Sequence, residues 1–220
     1  NYSEALINFD YIIGRFKESE LVPEAKLWQA KSYYVTGNEL RARQILNELK
    51  NNPKLPEEIR PKLTELYVEL AIKDKEYYNA INMMEPVVED LKKEERAYWH
   101  YLLGQLYDAV SDFNRSKENY LAAAKLNTEN QLVFRARINA ASLYVKYQPS
   151  DPRSIKLARE TLEDLLDDAK YEDYRGQIYY QYALLELKTG NEDRALQFLK
   201  ACIDAPGAGE RQQAQAAAKT

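Results

Sequence analysis

The residues that most often carry catalysis are scarce in this chain of 220 residues and poorly spaced for it. His100 is the only histidine, so a zinc site built on two histidines cannot form. Cys202 is the only cysteine, which excludes an internal disulfide and a site built on several thiolates. A Cys–His nucleophile would have to join these two residues across several stacked repeats. We therefore expect both residues to have packing roles.

Motifs for phosphoryl and acyl transfer are also missing. The sequence has no Gly-x-x-x-x-Gly-Lys loop to hold a nucleotide phosphate and no Gly-x-Ser-x-Gly turn. Carboxylates are abundant, as at Glu163, Asp164, Asp167 and Asp168, but a run of charges on a helix usually faces solvent. The sequence predicts no enzyme activity, no catalytic residue, no metal site and no cofactor.

Composition restricts the class of protein further. Hydrophobic residues make up 45% of the chain and charged residues 30%, which suits a folded core and excludes an intrinsically disordered chain. A net charge of −4 argues against a general nucleic-acid-binding protein, because such proteins need a basic surface. No apolar stretch approaches the roughly 20 residues of a membrane-spanning helix. The start at Asn1 and the Gln- and Ala-rich end lead us to expect a fragment of a longer protein.

An internal repeat is the strongest pattern in the sequence. A small residue opens the second helix of each predicted helix pair, and consecutive small residues are 37, 38, 36, 42 and 37 positions apart. Gly-Asn turns lie just before two of them, at Gly37 and Gly190. One hairpin cannot cover its own apolar face, so such pairs must stack. The small residues are Ala5, Ala42, Ala80, Ser116, Ala158 and Ala195.

This pattern resembles the tetratricopeptide repeat (TPR), a two-helix unit of about 34 residues. The resemblance implies an all-α fold, a right-handed superhelix (α-solenoid) of about five to six helix pairs, built as a single array over residues 1–220. The longer spacing departs from the family pattern, and we attribute it to extended turns. The predicted helices cover residues 3–16, 23–36, 39–51, 57–73, 76–91, 94–110, 113–126, 130–147, 153–168, 171–188, 192–204 and 209–219.

Two irregularities interrupt the repeat. Five residues are inserted around Gln148–Pro152, which predicts a surface turn that caps the next helix. A loop that contacts a partner is the alternative for this segment. Pro86 lies inside the predicted helix 76–91 and is expected to bend it.

The TPR resemblance also implies a partner-binding groove, because the first helix of each pair lines the concave surface in such arrays. Tyrosine, present 18 times against 5 Phe and 2 Trp, suits protein contacts, since it combines a rigid ring with a polar tip. Glu65 and Glu69 would repel a C-terminal carboxylate, which disfavours a receptor for chaperone tails. The predicted groove residues are Lys31, Tyr34, Glu65, Glu69, Tyr98, Tyr101, Gln105, Ile138, Ser142, Tyr180 and Leu184.

Four local strings carry a narrower resemblance. They are EALINFDYIIG at 4–14, PEAKLW at 23–28, LNELK…KLP at 46–56 and YEDYRGQIYY at 171–180. These are similar to the TPR region of the SprE/PorW lipoprotein family of type IX secretion and gliding motility. The resemblance implies a non-catalytic periplasmic module associated with the outer membrane. In such a family, a lipid anchor upstream of this chain would attach the protein to the outer membrane. The protein would link the trans-envelope machinery to the outer-membrane translocon.

Two other functions remain open at this stage. One is a generic cytoplasmic TPR adaptor that binds short peptides. The other is a regulatory TPR domain of a larger enzyme. All three hypotheses give the chain other proteins as partners, and none gives it nucleic acid.

Overall fold

The computed structural model describes residues 2–126 and 128–205, and over these residues the protein is all-α, with no β-strand. The prediction of an all-α fold is therefore confirmed for this part of the chain, whereas the predicted helix 209–219 lies outside it. Short 3-10 helices cover Glu57–Ile59, Val88–Asp90 and Ala169–Tyr174. The α-helices are α1 Tyr2–Arg15, α2 Val22–Val35, α3 Glu39–Lys50, α4 Arg60–Lys73, α5 Tyr77–Met84, α6 Lys93–Ala109, α7 Phe113–Leu126, α8 Asn130–Tyr147, α9 Pro152–Asp167, α10 Arg175–Lys188 and α11 Glu192–Asp204.

The helices form two compact units, Asn1–Val87 and Val88–Thr220. In the N-terminal unit, α1 packs against α2, α2 against α3, and α4 against α5. In the C-terminal unit, each helix from α6 to α11 packs against the next. Alternate helices also touch, namely α2 with α4, α6 with α8, and α8 with α10. Neighbouring helices thus pair, and each pair meets the next within its unit. The prediction of one continuous array stays a prediction.

The small residues predicted to open the second helices allow close helix contact. Ala42, Ala80, Ser116, Ala158 and Ala195 are all 0% exposed. In the pair α6–α7, Ser116 Oγ donates a hydrogen bond to the Gly104 carbonyl oxygen at 2.8 Å. A Cβ atom added at Gly104 would lie 2.6 Å from Cδ1 of Tyr120. The predicted close approach of the two backbones is confirmed at this hairpin.

Four hairpins share one turn, in which a residue five positions before the small residue is left-handed. The φ angles are 86° at Gly37, 62° at Lys75, 61° at Ser111 and 80° at Gly190. At Gly37 the N–H donates to the Tyr34 carbonyl at 3.0 Å, and the next N–H donates to the Tyr33 carbonyl at 2.8 Å. The same two bonds recur at the other three turns, which makes each a Schellman motif. Glycine marked only two of these turns in the sequence.

The inserted segment is a surface turn, as predicted. α8 ends at Tyr147, and α9 begins at Pro152. The Asp151 side chain accepts a hydrogen bond from the Ser154 N–H at 3.0 Å and so caps α9. Its hydrogen bonds with Ser154 lower the pKa of Asp151, which keeps the cap ionised at neutral pH.

Two predicted helices differ from the structure. The helix predicted over 76–91 is not one bent helix, because α5 ends at Met84, before Pro86. Proline lacks the N–H that would continue the backbone hydrogen bonds of the helix, so the helix stops before it. The helix predicted to begin at Tyr171 instead begins at Arg175, after the 3-10 helix Ala169–Tyr174. The buried ring of Tyr171 holds this short helix against the core.

The Gly104→Ala substitution tests the close contact between α6 and α7. We expect it to lower the free energy of unfolding by about 1–3 kcal/mol, because the new methyl group overlaps the ring of Tyr120, which is itself buried. Urea unfolding curves measure this loss. Gly14→Ala in α1 is the matched control, because a Cβ atom at Gly14 meets nothing within 4 Å. Equal stability of the two variants would contradict the close contact.

The Ser111→Gly substitution tests the left-handed turn. Removing the Cβ atom at a φ of 61° relieves backbone strain, so we expect stabilisation by about 0.5–1 kcal/mol. The reciprocal variant Gly190→Ser should destabilise by a similar amount, since a Cβ atom there has free space and meets only the backbone restriction. Thermal unfolding measures both effects. Shifts of the same sign in the two variants would contradict a shared turn.

Candidate partner-binding surface

In the N-terminal unit, the first helices of two hairpins, α2 and α4, touch through residues one repeat apart. Lys31 Nζ of α2 lies 3.4 Å from Glu69 Oε1 of α4. Lys62 Nζ of α4 lies 3.4 Å from Glu24 Oε1 of α2. Both pairs are separated by 38 residues, so each joins the same position in two successive repeats. Lys31 and Glu69 were both predicted groove residues, and the structure pairs them with each other.

The C-terminal unit contains the same kind of contact between α6 and α8. Asn139 Nδ2 donates a hydrogen bond to the Tyr101 hydroxyl oxygen at 3.3 Å, and Lys146 Nζ lies 2.8 Å from Asp108 Oδ1. These residues are again 38 apart. In each unit a seam between neighbouring first helices therefore carries polar contacts between residues that are 38 positions apart.

The predicted groove residues differ in how much solvent they meet. Tyr98 is 53% exposed, and Glu65 and Gln105 are exposed as well. Among the described residues, Tyr98 and Gln105 have no hydrogen bond or ring contact to another side chain. Both side chains are therefore available for a partner. The half-buried members of the set are Lys31, Tyr34, Glu69, Tyr101, Ser142, Tyr180 and Leu184.

Ile138 does not belong to an open surface, so its prediction as a groove residue is wrong. It is only 7% exposed and belongs to a core cluster with Leu162 of α9 and Ile178 of α10. Tyr101 has a mixed role, because its ring packs 5.7 Å from the ring of Tyr120 while its hydroxyl group accepts the bond from Asn139. Truncation of Tyr101 would therefore remove core packing as well as surface.

The N-terminal unit contains a small cavity between α2 and α4 that the sequence did not identify. Its volume is about 240 Å³. Trp28, at 42% exposure, forms one wall, and Lys62 Nζ lies 5.8 Å from the centre of its rings. Lys62 occupies the same repeat position in α4 as Tyr98 in α6. This shared position was a sequence signal that could have identified Lys62 as a residue of the surface. The lining residues are Leu27, Trp28, Lys31, Lys62, Glu65 and Leu66.

Charge around this cavity is mostly paired. Lys31 pairs with Glu69 and Lys62 with Glu24, whereas Glu65 has no ion pair with any described residue. Exposed pairs of this kind contribute only about 0–1 kcal/mol each, so a ligand can displace them. Of the two glutamates expected to repel a carboxylate, only Glu65 is unpaired.

At the end of α4, Lys73 stays firmly protonated. The hydrogen bond that it donates to Glu39 raises the pKa of Lys73. Its Nζ atom also lies 5.2 Å from the centre of the Tyr34 ring, a cation–π contact. The predicted groove residue Tyr34 is thus covered on one face by this ammonium group.

Glu186 of α10 is a buried carboxylate with a structural role. It is 0% exposed, accepts hydrogen bonds from Arg159 and from Asn191 Nδ2, and lies 3.7 Å from Arg194. Burial raises its pKa, but the hydrogen bonds from Arg159 and Asn191 outweigh that effect and lower the pKa below the ordinary value of 4.5. The carboxylate ties α9 to the turn between α10 and α11, and it does not face solvent.

The two residues considered first for catalysis pack as expected. His100 is half-buried, and its Nδ1 atom lies 2.9 Å from Asn119 Oδ1. Cys202 is buried in a cluster with Ala183 and Leu199. Within residues 2–126 and 128–205, no group of three or more His, Cys, Asp or Glu side chains is placed to hold a metal ion.

No model of a known protein family matches the chain, and no curated protein is detectably similar to it. Over the part of the chain that the structure describes, no helix has the length and apolar character needed to cross a membrane.

The Glu186→Gln substitution tests the buried carboxylate. We expect it to lower the free energy of unfolding at pH 7 by about 2–3 kcal/mol, because Arg159 loses its charged partner. Since the folded pKa is depressed, the stabilisation is complete above the unfolded pKa of about 4.5 and disappears as pH falls through the lower folded value. The difference between wild type and variant should thus shrink in acid.

Urea unfolding between pH 7 and pH 3 measures this difference. Glu118→Gln on the exposed surface of α7 is the control and should match wild type at every pH. A pH-independent difference between wild type and Glu186→Gln would contradict the pKa shift.

Proposed function

We propose that this protein is a non-catalytic, TPR-like helical-repeat scaffold that binds other proteins along the seams between its first helices. The observation that carries the proposal is the set of contacts at a separation of 38 residues, such as Lys31 with Glu69 and Tyr101 with Asn139. Such contacts hold successive first helices side by side, and repeat proteins use stacked helices of this kind as extended binding surfaces. A right-handed superhelix would carry the row on its concave side.

The side chains along the seams support protein binding. Trp28 and Tyr98 are large, exposed aromatic residues, a type that is enriched among the anchors of protein interfaces. Polar groups lie near them, including Glu65 beside Trp28 and Gln105 two turns from Tyr98 on the same face of α6. Aromatic anchors with a polar rim are typical of specific, reversible contacts.

For the cellular setting, we propose a periplasmic module of a type IX secretion and gliding-motility lipoprotein, associated with the outer membrane. Support comes from the strings at 4–14, 23–28, 46–56 and 171–180, which are similar to the SprE/PorW family. In this role the chain would link secretion-system components without chemistry of its own. Fractionation of the native cells tests the setting, and recovery of the protein in the cytoplasm would contradict it.

The Tyr98→Ala substitution tests the seam as the binding surface. In its native cell envelope, we expect the variant to lose about 5- to 150-fold in the yield of crosslinked partner proteins, which corresponds to about 1–3 kcal/mol for an aromatic anchor. Its stability should change by less than about 0.5 kcal/mol, because Tyr98 is 53% exposed and makes no hydrogen bond or ring contact with another described side chain. Quantitative crosslinking and mass spectrometry measure the yield.

Tyr78→Ala is the matched control for this experiment. Tyr78 is an exposed tyrosine, but it lies on α5, a second helix, away from the seam. It should retain the wild-type yield of crosslinked partners. If Tyr98→Ala retains that yield too, or if both variants lose it equally, the seam is not the binding surface.

A further inference from the structure

α1 is a second helix by its register, and one of its faces is incompletely covered. Ala5 stands at the position of the small residues that open the other second helices, and Phe9 and Ile12 follow it at helical spacing. All three side chains are only half-buried, and α1 has no fully buried residue.

The same positions are fully covered in every other second helix of the described chain. The small residue itself is 0% exposed in all five. The residue four positions later is at most 3% exposed in each of them. Those residues are Leu46, Met84, Tyr120, Leu162 and Leu199.

The cover in these hairpins comes from the first helix of the same pair. In α7, Ser116 hydrogen-bonds to Gly104 of α6, and Tyr120 lies against the same glycine. In α11, Leu199 and Cys202 form a cluster with Ala183 of α10. In each of these two hairpins, a small residue on the first helix meets the second helix near its small residue. α1 packs against α2, the first helix of the following pair.

We propose that the face formed by Ala5, Phe9 and Ile12 is a docking site for one more helix of the first-helix type. The interface is the one that already recurs between α2 and α3, α6 and α7, and α10 and α11. The docking helix carries Gly, Ala or Ser opposite Ala5, with apolar residues three and four positions away.

A second apolar pair on α1 lies outside this face. Ile7 and Tyr11 are 68% and 62% exposed, and they point to the side of the helix opposite Ala5. The five other second helices carry polar residues at the position of Ile7, namely Gln44, Asn82, Glu118, Glu160 and Gln197. A helix docked on the face of Ala5, Phe9 and Ile12 would therefore leave Ile7 and Tyr11 exposed. These two residues are not part of the proposed docking site.

The test is a chimera in which residues 22–38 are copied in front of residue 2. The copied Asn38 then replaces Asn1, and the copied Ala30 stands 12 residues before Ala5, the separation between Gly104 and Ser116. Hydrogen exchange measured by mass spectrometry over Tyr2–Arg15 is the readout. We expect exchange in α1 to slow by about tenfold or more relative to the original chain, independently of protein concentration.

The matched control is the same chimera with the copied Ala30 changed to Trp, which blocks close approach of the two helices. It should leave exchange in α1 at the rate of the original chain. Equal protection in both chimeras would overturn the proposal, as would no protection in either. Protection that appears in the original chain only at high concentration would instead identify a second copy as the occupant, and it would also overturn the proposal.

Discussion

Close approach between the two helices of each hairpin is the constraint on which the rest of this structure depends. One small side chain at the start of each second helix permits it, and these side chains are fully buried from Ala42 to Ala195. Where the first helix also contributes a glycine, at Gly104, the hydroxyl group of Ser116 reaches the backbone of its partner. A larger side chain at either position would push the helices apart and expose the apolar residues that neighbouring pairs share.

Fixed hairpins with similar spacing bring neighbouring first helices together. Lys31 meets Glu69 and Asp108 meets Lys146, in both cases across 38 residues. Individually these exposed pairs contribute little to stability. Their main effect is to fix the alignment of neighbouring first helices. This alignment places the aromatic and polar residues beside the pairs in a row. The binding surface proposed for this protein follows from that alignment rather than from a single pocket.

Local sequence signals predicted the fold well, and they predicted the surface less well. Small residues and Gly-Asn turns identified the hairpins, but Lys75 and Ser111 adopt the same left-handed turn without glycine, which no residue preference could indicate. Repeat register placed Tyr98 on an exposed face. It failed at Ile138, because burial there depends on Leu162 and Ile178, which are distant in sequence. Trp28 escaped notice because its exposure depends on the gap between α2 and α4.

Zero-length carbodiimide crosslinking of the unmodified protein, read by mass spectrometry, tests the central claim most directly. The reagent joins an amine to a carboxylate only where the two already touch. Contact between first helices in repeat register predicts crosslinks from Lys31 to Glu69, from Lys62 to Glu24 and from Lys146 to Asp108. If crosslinks formed only between charges three or four residues apart on one helix, the first helices would not be in contact, and the account would be wrong.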